Sequence, residues 1–246
     1  MSNMELRRKV GYKERRKGAP RPTSHGPERS FAAFSALPEA AREAACEMDT
    51  VIGRSSDRQC VLTLYLRCCR AQVLLLLPER SSSAVAAALD MLETAVGGAA
   101  FQRMLGLVLT DNGAEFTDWE SLERSCLPGA GARCRVYYCD VRQSQQKGGC
   151  ERNHVELRKL LPKGRGISFD DLEPADMAAA MSQLNSEPRP SMAFMAPARA
   201  LLAAYGDDGA ALMDALGMEE VPYGELLMGV EAIDRARRER GSEPLA

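Results

Sequence analysis

Long hydrophobic runs and a leader-type segment are both missing from this chain of 246 residues. The longest apolar run, AQVLLLLP at 71–78, is too short to span a bilayer and is typical of a buried strand. No apolar segment follows the basic N-terminus, so no signal peptide is predicted. These absences argue against a membrane protein and predict a cytoplasmic location without a membrane partner.

Histidine is scarce, and the eight cysteines lack metal-binding spacing. Only His25 and His154 are present, and no two cysteines form a CxxC pair, so the usual Cys/His zinc site is not expected. Several cysteines fall in strand-like runs, where a free thiol behaves as a small buried apolar residue. We therefore expect free thiols in a reducing compartment.

The net charge of −2 conceals an uneven distribution of charge. Residues 7–17 carry seven Lys or Arg and one Glu, whereas residues 201–234 carry eight Asp or Glu and no Lys or Arg. A flexible basic arm is typical either of a solvated tail or of a nucleic-acid contact, and both interpretations stay open. The candidate DNA-binding residues of this arm are Arg7, Arg8, Lys9, Arg15, Arg16 and Lys17.

Composition divides the chain into three parts. Residues 1–44 are basic and rich in Pro, Gly and Ser, so we predict a largely disordered arm with one short helix near its end. Residues 45–200 carry a compact pattern of strands and helices. Residues 201–246 predict a helical extension, which either mediates subunit contacts or packs on the core.

Strand and helix patterns follow one another in the central part. Short connections predict an antiparallel meander of three strands, at 46–53, 60–67 and 71–78. Two further strands are predicted at 104–110 and 134–140, and helices at 81–96, 118–126, 148–164 and 169–185. A meander followed by crossovers predicts an α/β fold with a mixed sheet flanked by helices.

Three carboxylates have special positions in this layout. Asp49 lies within the first strand, where a buried acid is costly unless it is paired or metal-bound. Asp111 ends the fourth strand in VLTDNGAEFTD, and Glu151 lies early in the helix after the fifth strand. If the first and fourth strands are neighbours, Asp49 and Asp111 lie side by side, and a helix across that sheet edge brings in Glu151.

Clustered carboxylates repel one another and need a cation. Hard oxygen ligands at an open site suit Mg²⁺ or Mn²⁺. Two such ions about 4 Å apart activate an oxygen nucleophile and stabilise the leaving oxygen in a phosphoryl displacement. Each acid taken singly also has an ordinary structural explanation, namely a solvent-facing strand position, a turn, or a favourable charge at a helix start.

Four segments carry a family resemblance: EMDTVIG, TDNGAEF, QQKGGCERNHVELRKLLPKG and LNSEPRPSMAFMAPARAL. Together, from about residue 45 to 200, they resemble the transposases of insertion-sequence family thirty, bacterial DDE enzymes with the ribonuclease-H-like integrase core. The resemblance implies a five-stranded sheet in the order 3-2-1-4-5, with Asp49, Asp111 and Glu151 as the catalytic, metal-binding triad. It also implies DNA strand cleavage followed by transfer of a 3′-hydroxyl to target DNA.

The resemblance extends to residues around this triad. Asn112, Gly113 and Glu115 match the TDNG-x-EF motif and are expected to shape the loop around Asp111 rather than to react. Arg158 matches a basic position of the family motif and is a candidate DNA contact, with a surface ion pair as the alternative.

Two further side chains border Glu151 in the sequence. Lys147 is a candidate phosphate contact, with a solvated lysine as the alternative. His154 lies one helical turn after Glu151, and we expect an ordinary exposed histidine there rather than a DNA contact.

The chain departs from the family pattern in two places. The family typically carries a helix-turn-helix region ahead of the core, and residues 1–45 are too short and polar to hold one. Asp49 and Asp111 are separated by 61 residues and Asp111 and Glu151 by 39, which is a longer second gap than expected. The segment LPGAGARC at 127–134 is predicted to be the extra surface loop.

The implied partners are double-stranded DNA, at transposon ends and target, and further copies of the chain assembled on that DNA. The implied location is the cytoplasm, in association with the nucleoid. A truncated, inactive remnant that binds DNA or full-length transposase is the main alternative. A ribonuclease-H-like nuclease of other purpose is the second.

Overall fold

The computed structural model describes residues 25–141, 143–163 and 166–245. The basic residues of the predicted arm, Arg7, Arg8, Lys9, Arg15, Arg16 and Lys17, lie outside the described residues. Among the described residues, no single helix is long and apolar enough to cross a membrane, although one helix pair bent by 119° passes the same criteria of length and composition.

The described chain is built around a five-stranded mixed sheet. Its strands are β1 (Cys46–Ile52), β2 (Cys60–Leu66), β3 (Ala71–Leu77), β4 (Leu107–Thr110) and β5 (Arg135–Tyr138), in the order β3-β2-β1-β4-β5. β1, β2 and β3 pair antiparallel, because their short connections force the chain to reverse, whereas β1, β4 and β5 pair parallel through helical crossovers. The predicted fold class and strand order are confirmed.

Ten α-helices occur in the described ranges. In chain order they are α1 (Phe31–Ser35), α2 (Glu39–Glu43), α3 (Ser82–Val96), α4 (Gly98–Leu105), α5 (Trp119–Glu123), α6 (Gly148–Leu160), α7 (Pro174–Ser186), α8 (Pro197–Tyr205), α9 (Asp207–Ala215) and α10 (Glu231–Glu239). The bent helix pair that meets the length and composition criteria for a membrane span consists of α3 and α4. Helix α4 corrects the predicted start of the fourth strand, because Phe101, Met104 and Leu105 are buried at helical spacing.

The two faces of the sheet are covered separately. Val108 and Val136 belong to the main hydrophobic core, while the alternating residues Leu109 and Tyr137 form a second cluster with Phe34 of α1. Helix α6 packs against β1 and β2. All eight cysteines lie in described parts of the chain and none forms a disulfide, as predicted.

The prediction of a largely disordered arm is wrong for residues 25–30, whereas the helical structure predicted near the end of the arm is present. Two short helices replace the single predicted helix, and Pro38 separates them. Before them, the buried Arg29 donates to both carboxylate oxygens of Glu123 and stacks on Trp119, with 3.4 Å between guanidinium carbon and ring centroid. These contacts fix the segment on the core in spite of its polar composition.

The helices beyond residue 200 pack on the core. Helix α9 lies against α3 and α10 lies against α7. Leu212, Leu216 and Ile233 are buried in the main hydrophobic core. Of the two alternatives for the extension, core packing is therefore observed.

Candidate active site

Parallel pairing of β1 and β4 brings two predicted site residues together. Cys46 pairs with Val108 and Glu47 with Leu109. The same register continued by two residues sets Asp49 beside Asp111, just where β4 ends. Successive side chains alternate between the faces of a strand, so both aspartates lie on the sheet face that bears Glu47.

A lysine ammonium lies between these two carboxylates. Lys147 Nζ is 3.0 Å from Asp49 Oδ2, 3.1 Å from Asp111 Oδ2 and 3.3 Å from the Met48 carbonyl oxygen. The lysine side chain is 4% exposed, whereas those of Asp49 and Asp111 are 20% and 46% exposed. Burial lowers the pKa of Lys147, but the two carboxylates outweigh this effect and raise it above its usual value. The lysine is therefore a charged, nearly buried partner of both aspartates.

The loop after β4 orients Asp111. The Gly113 amide donates to Asp111 Oδ1 over 2.8 Å, and Asn112 Nδ2 donates to the Cys139 carbonyl oxygen over 2.7 Å. A Cβ atom at Gly113 would lie only 2.7 Å from the Glu115 carboxylate and 3.0 Å from that of Asp111, so a larger residue here would displace one or both carboxylates. Asn112 and Gly113 thus fix the loop that carries Asp111.

Glu115 links this loop to the end of β1. Its carboxylate is buried and accepts hydrogen bonds from Thr50 Oγ1 (2.5 Å) and Arg80 Nε (2.6 Å). Thr50 also holds the adjacent residue Asp49, because the Thr50 amide donates a hydrogen bond of 2.8 Å to Asp49 Oδ1. Both site aspartates therefore receive a backbone N–H, and Glu115 ties their two strands together.

Glu151 is in the first turn of α6 and is exposed. The carboxylates of Asp49, Asp111 and Glu151 do not all lie within 4.8 Å of one another: among the described residues, the one group of three His, Cys, Asp or Glu ligand atoms that does so is Asp90, Glu93 and Cys126. The structure thus brings two members of the predicted triad together and leaves the third on the adjoining helix.

His154 connects α6 to the same strands. It is partly buried and forms a hydrogen bond of 3.0 Å with Thr63 Oγ1, and Thr63 pairs with Asp49 in the sheet. Burial lowers the pKa of His154, and the carboxylates of Asp49 and Glu151 oppose this shift. The expectation of an ordinary exposed histidine is wrong, because α6 lies on β2 at this point.

Glu47 is a site residue that the sequence reasoning missed. Its buried carboxylate accepts a hydrogen bond of 2.7 Å from the Cys150 amide, at the N-terminus of α6, and one of 2.8 Å from Arg67 Nε. A Cβ atom at Gly149 would meet the Tyr65 ring at 2.1 Å, so this close approach of helix to sheet needs glycine. The sequence contains a signal for this role, because residues two apart on a strand share a face and Glu47 therefore lies on the same face as Asp49.

Arg158 lies at the other end of α6 and contacts protein rather than projecting freely. Its Nη2 donates to the Ile52 carbonyl oxygen over 2.7 Å, and its guanidinium carbon is 5.8 Å from the Phe169 ring centroid. Burial lowers its pKa. The DNA contacts assigned to Arg158 and Lys147 stay predictions.

The acidic group of α3 has protein partners in place of a cation. Arg133, fully buried, donates to Asp90 Oδ1 over 2.5 Å, and it lies 3.4 Å from the Glu93 carboxylate. The Glu93 carboxylate also accepts from Ser125 Oγ and the Cys126 amide. These contacts anchor both ends of the predicted surface loop at 127–134, so we assign the group a structural role.

The chain is similar in sequence to a known transposase. No family model matches the chain. Over 157 residues, or 63% of this chain, it is 31% identical to the transposase for insertion sequence element IS1086 of Cupriavidus metallidurans, and the match covers 42% of that protein. The matched segment therefore spans less than half the length of this relative.

Two solved structures resemble the fold at low sequence identity. The catalytic core domain of BIV integrase is 16% identical with a TM-score of 0.44, over 64% of this chain and 92% of that one. The HTLV-2 integrase catalytic core domain in complex with magnesium is 15% identical with a TM-score of 0.42, over 64% of this chain and 95% of that one.

Proposed function

We propose that this chain carries the catalytic core of a DDE transposase of insertion-sequence family thirty. It cleaves DNA strands and transfers a 3′-hydroxyl to target DNA, with Asp49, Asp111 and Glu151 as the metal-binding triad. The observation that carries the proposal is the pair of aspartates at adjacent parallel strands, turned toward one cation. The identity to a protein named transposase supports the same class.

The donor set fits a hard divalent cation. The site offers carboxylate oxygens and no nearby thiolate ligand, because burial raises the pKa of the neighbouring Cys139 thiol to about 12. Mg²⁺ or Mn²⁺, two ions per site with substrate bound, would activate an oxygen nucleophile and stabilise the leaving oxygen of the phosphodiester.

The protein's own contribution is orientation. The backbone amides of Thr50 and Gly113 fix one oxygen of each aspartate and leave the other oxygen, Oδ2, turned toward the cation position. Glu47 holds the N-terminus of α6, and thereby the turn that carries Glu151, against the sheet. In this proposal Glu151 is the third ligand, supplied by the helix.

A plasmid assay tests the function. The purified chain is incubated with supercoiled plasmid and a labelled duplex with free 3′-hydroxyls, in Mg²⁺, Mn²⁺ or EDTA. We expect nicking and joining of the label to plasmid with either metal, and neither product in EDTA. Degradation of the RNA strand of an RNA–DNA hybrid, with duplex DNA intact, would instead identify a ribonuclease-H-like nuclease. DNA binding without either reaction would identify an inactive remnant.

The proposal includes double-stranded DNA as partner, assembly of several copies on that DNA, and a location at the nucleoid. The basic arm gives one quantitative expectation. Each cation that neutralises a phosphate makes the slope of log affinity against log salt more negative by about 0.9, so the six candidate arm residues contribute up to about −5.

A variant with glutamine at the six candidate arm residues is therefore expected to bind duplex DNA with a shallower salt dependence than the parent chain. Fluorescence anisotropy between about 50 and 200 mM salt measures the two slopes. A chain without residues 1–24 keeps the contact of Arg29 with Glu123 and also lacks Lys13 and Arg21, so its salt dependence should be at least as shallow as that of the glutamine variant. Equal slopes for all three proteins would show that the arm is only a solvated tail.

A further inference from the structure

We propose that Lys147 is a built-in cation that holds the metal-binding aspartates together before metal arrives, and that a divalent ion binds only after displacing it. This inference rests on the proposed function, because it concerns the same aspartate pair. It assigns Lys147 a competitive role in place of the phosphate contact suggested by the sequence.

The hydrogen bonding of the ammonium carries the inference. A lysine ammonium has three N–H donors. Lys147 Nζ has three oxygens within 3.3 Å, which belong to Asp49, Asp111 and the Met48 backbone. The ammonium is thus fully satisfied on the protein and occupies the position between the carboxylates that a bound cation would take.

The charge balance of the site supports the same conclusion. Among the described residues, Lys147 is the only ion-pair partner of Asp49 and of Asp111. The nearby guanidinium of Arg80 is paired with Glu115, and that of Arg158 donates to backbone carbonyls. Without Lys147, the two carboxylates would repel each other with no compensating charge in contact.

The lysine also has a route out of the site. Asp111 is 46% exposed, so the space beside its carboxylate opens to solvent. Lys147 is the last residue of a short 3₁₀ turn, Ser144–Lys147, and directly precedes α6. Its flexible side chain can therefore leave by rotation, while Gln146 remains hydrogen-bonded to Asp140.

The free energy of metal binding then includes the cost of moving the Lys147 ammonium away from the two aspartates. If the lysine-out state is populated at about 1–10%, the apparent metal affinity falls by about 10- to 100-fold. Lys147→Gln removes this competition and should bind Mn²⁺ more tightly by that factor. Lys159→Gln is the matched control, since it removes a lysine of α6 that pairs with Glu156 rather than with the aspartates.

Free Mn²⁺ is measured by electron paramagnetic resonance during titration of the parent chain and both variants. Tighter binding by Lys147→Gln alone supports the inference. Equal or weaker binding by Lys147→Gln, while the parent chain binds Mn²⁺ and nicks plasmid, overturns the inference and leaves the proposed function standing. No binding by any of the three proteins overturns both.

A second measurement needs no variant. The parent chain is treated with an amine-acylating reagent with and without saturating Mn²⁺, and labelled lysines are quantified by mass spectrometry. We expect Lys147 to be protected without metal and labelled at least about 10-fold faster with it, since the charged, buried amine is released. Labelling of the exposed Lys159 should not change. Equal protection of Lys147 in both conditions overturns the inference.

Discussion

Asp111→Asn is expected to lower metal-dependent DNA cleavage by about 10²- to 10³-fold while leaving the fold intact, a loss in the range seen when a group that stabilises transition-state charge is removed. The substitution keeps the size of the side chain and its acceptor for the Gly113 amide, but it removes the negative charge that attracts a divalent ion. Single-turnover nicking of plasmid in Mg²⁺ and Mn²⁺ measures the loss, and circular dichroism checks the fold.

The control for this variant is Asp214→Asn, which removes one carboxylate charge from an exposed position on α9. It should cleave DNA at the rate of the parent chain, because the change in net charge is the same but the site is untouched. Cleavage by Asp111→Asn within about tenfold of the parent rate would remove Asp111 from the proposed triad. Asp49→Asn should behave as Asp111→Asn does, since Lys147 contacts both aspartates alike.

The sheet and the aspartate pair could be predicted from the sequence because they depend on local signals. Short connections between β1, β2 and β3 leave the chain no path other than an antiparallel meander. The Asn112-Gly113 turn marks the end of β4, and the parallel pairing of β4 with β1 then brings Asp111 next to Asp49. The apolar run that includes Met104 and Leu105 was ambiguous, since it fits a strand as well as the end of α4.

The remaining parts of the site depend on segments that are distant in sequence. Lys147 is buried only because β1, the loop after β4 and the start of α6 converge on its ammonium. In the sequence alone it was a candidate phosphate contact, or a solvated lysine, in a Gln- and Gly-rich stretch. The distance of Glu151 from the aspartates is equally hidden in the sequence, since helical phase predicts the face of α6 but not its distance from the sheet.

Asp176→Ala is expected to lower the free energy of unfolding by about 3–5 kcal/mol, which is the cost of removing one partner of a buried ion pair. Asp176, in the first turn of α7, is 0% exposed, and its carboxylate accepts hydrogen bonds from Arg237 Nε and Nη2 and from Arg240 Nη2. The variant leaves the buried Arg237 guanidinium without its carboxylate. Urea unfolding followed by circular dichroism measures the change.

Two variants separate this ion pair from a general effect on α10. Glu239→Gln removes the exposed partner of Arg235 on the same helix and should cost no more than about 0.5 kcal/mol. Combining Asp176→Leu with Arg237→Met removes both charges and should recover most of the loss, because no unpaired buried charge remains. A loss below about 1 kcal/mol in Asp176→Ala would show that this ion pair contributes little to the free energy of unfolding.

The pH dependence of the same variant tests whether charge or packing is responsible. Burial raises the pKa of Asp176, but the hydrogen bonds from Arg237, the Glu173 amide and Arg240 outweigh it and hold the pKa below its usual value. A lowered folded-state pKa stabilises the protein above the unfolded pKa of about 3.9, and this stabilisation is lost as the pH falls through the folded value. The difference in unfolding free energy between parent and Asp176→Ala should therefore be constant from about pH 5 to 7 and shrink below about pH 4. A difference that stayed constant into acid would assign the loss to the cavity rather than to the charge.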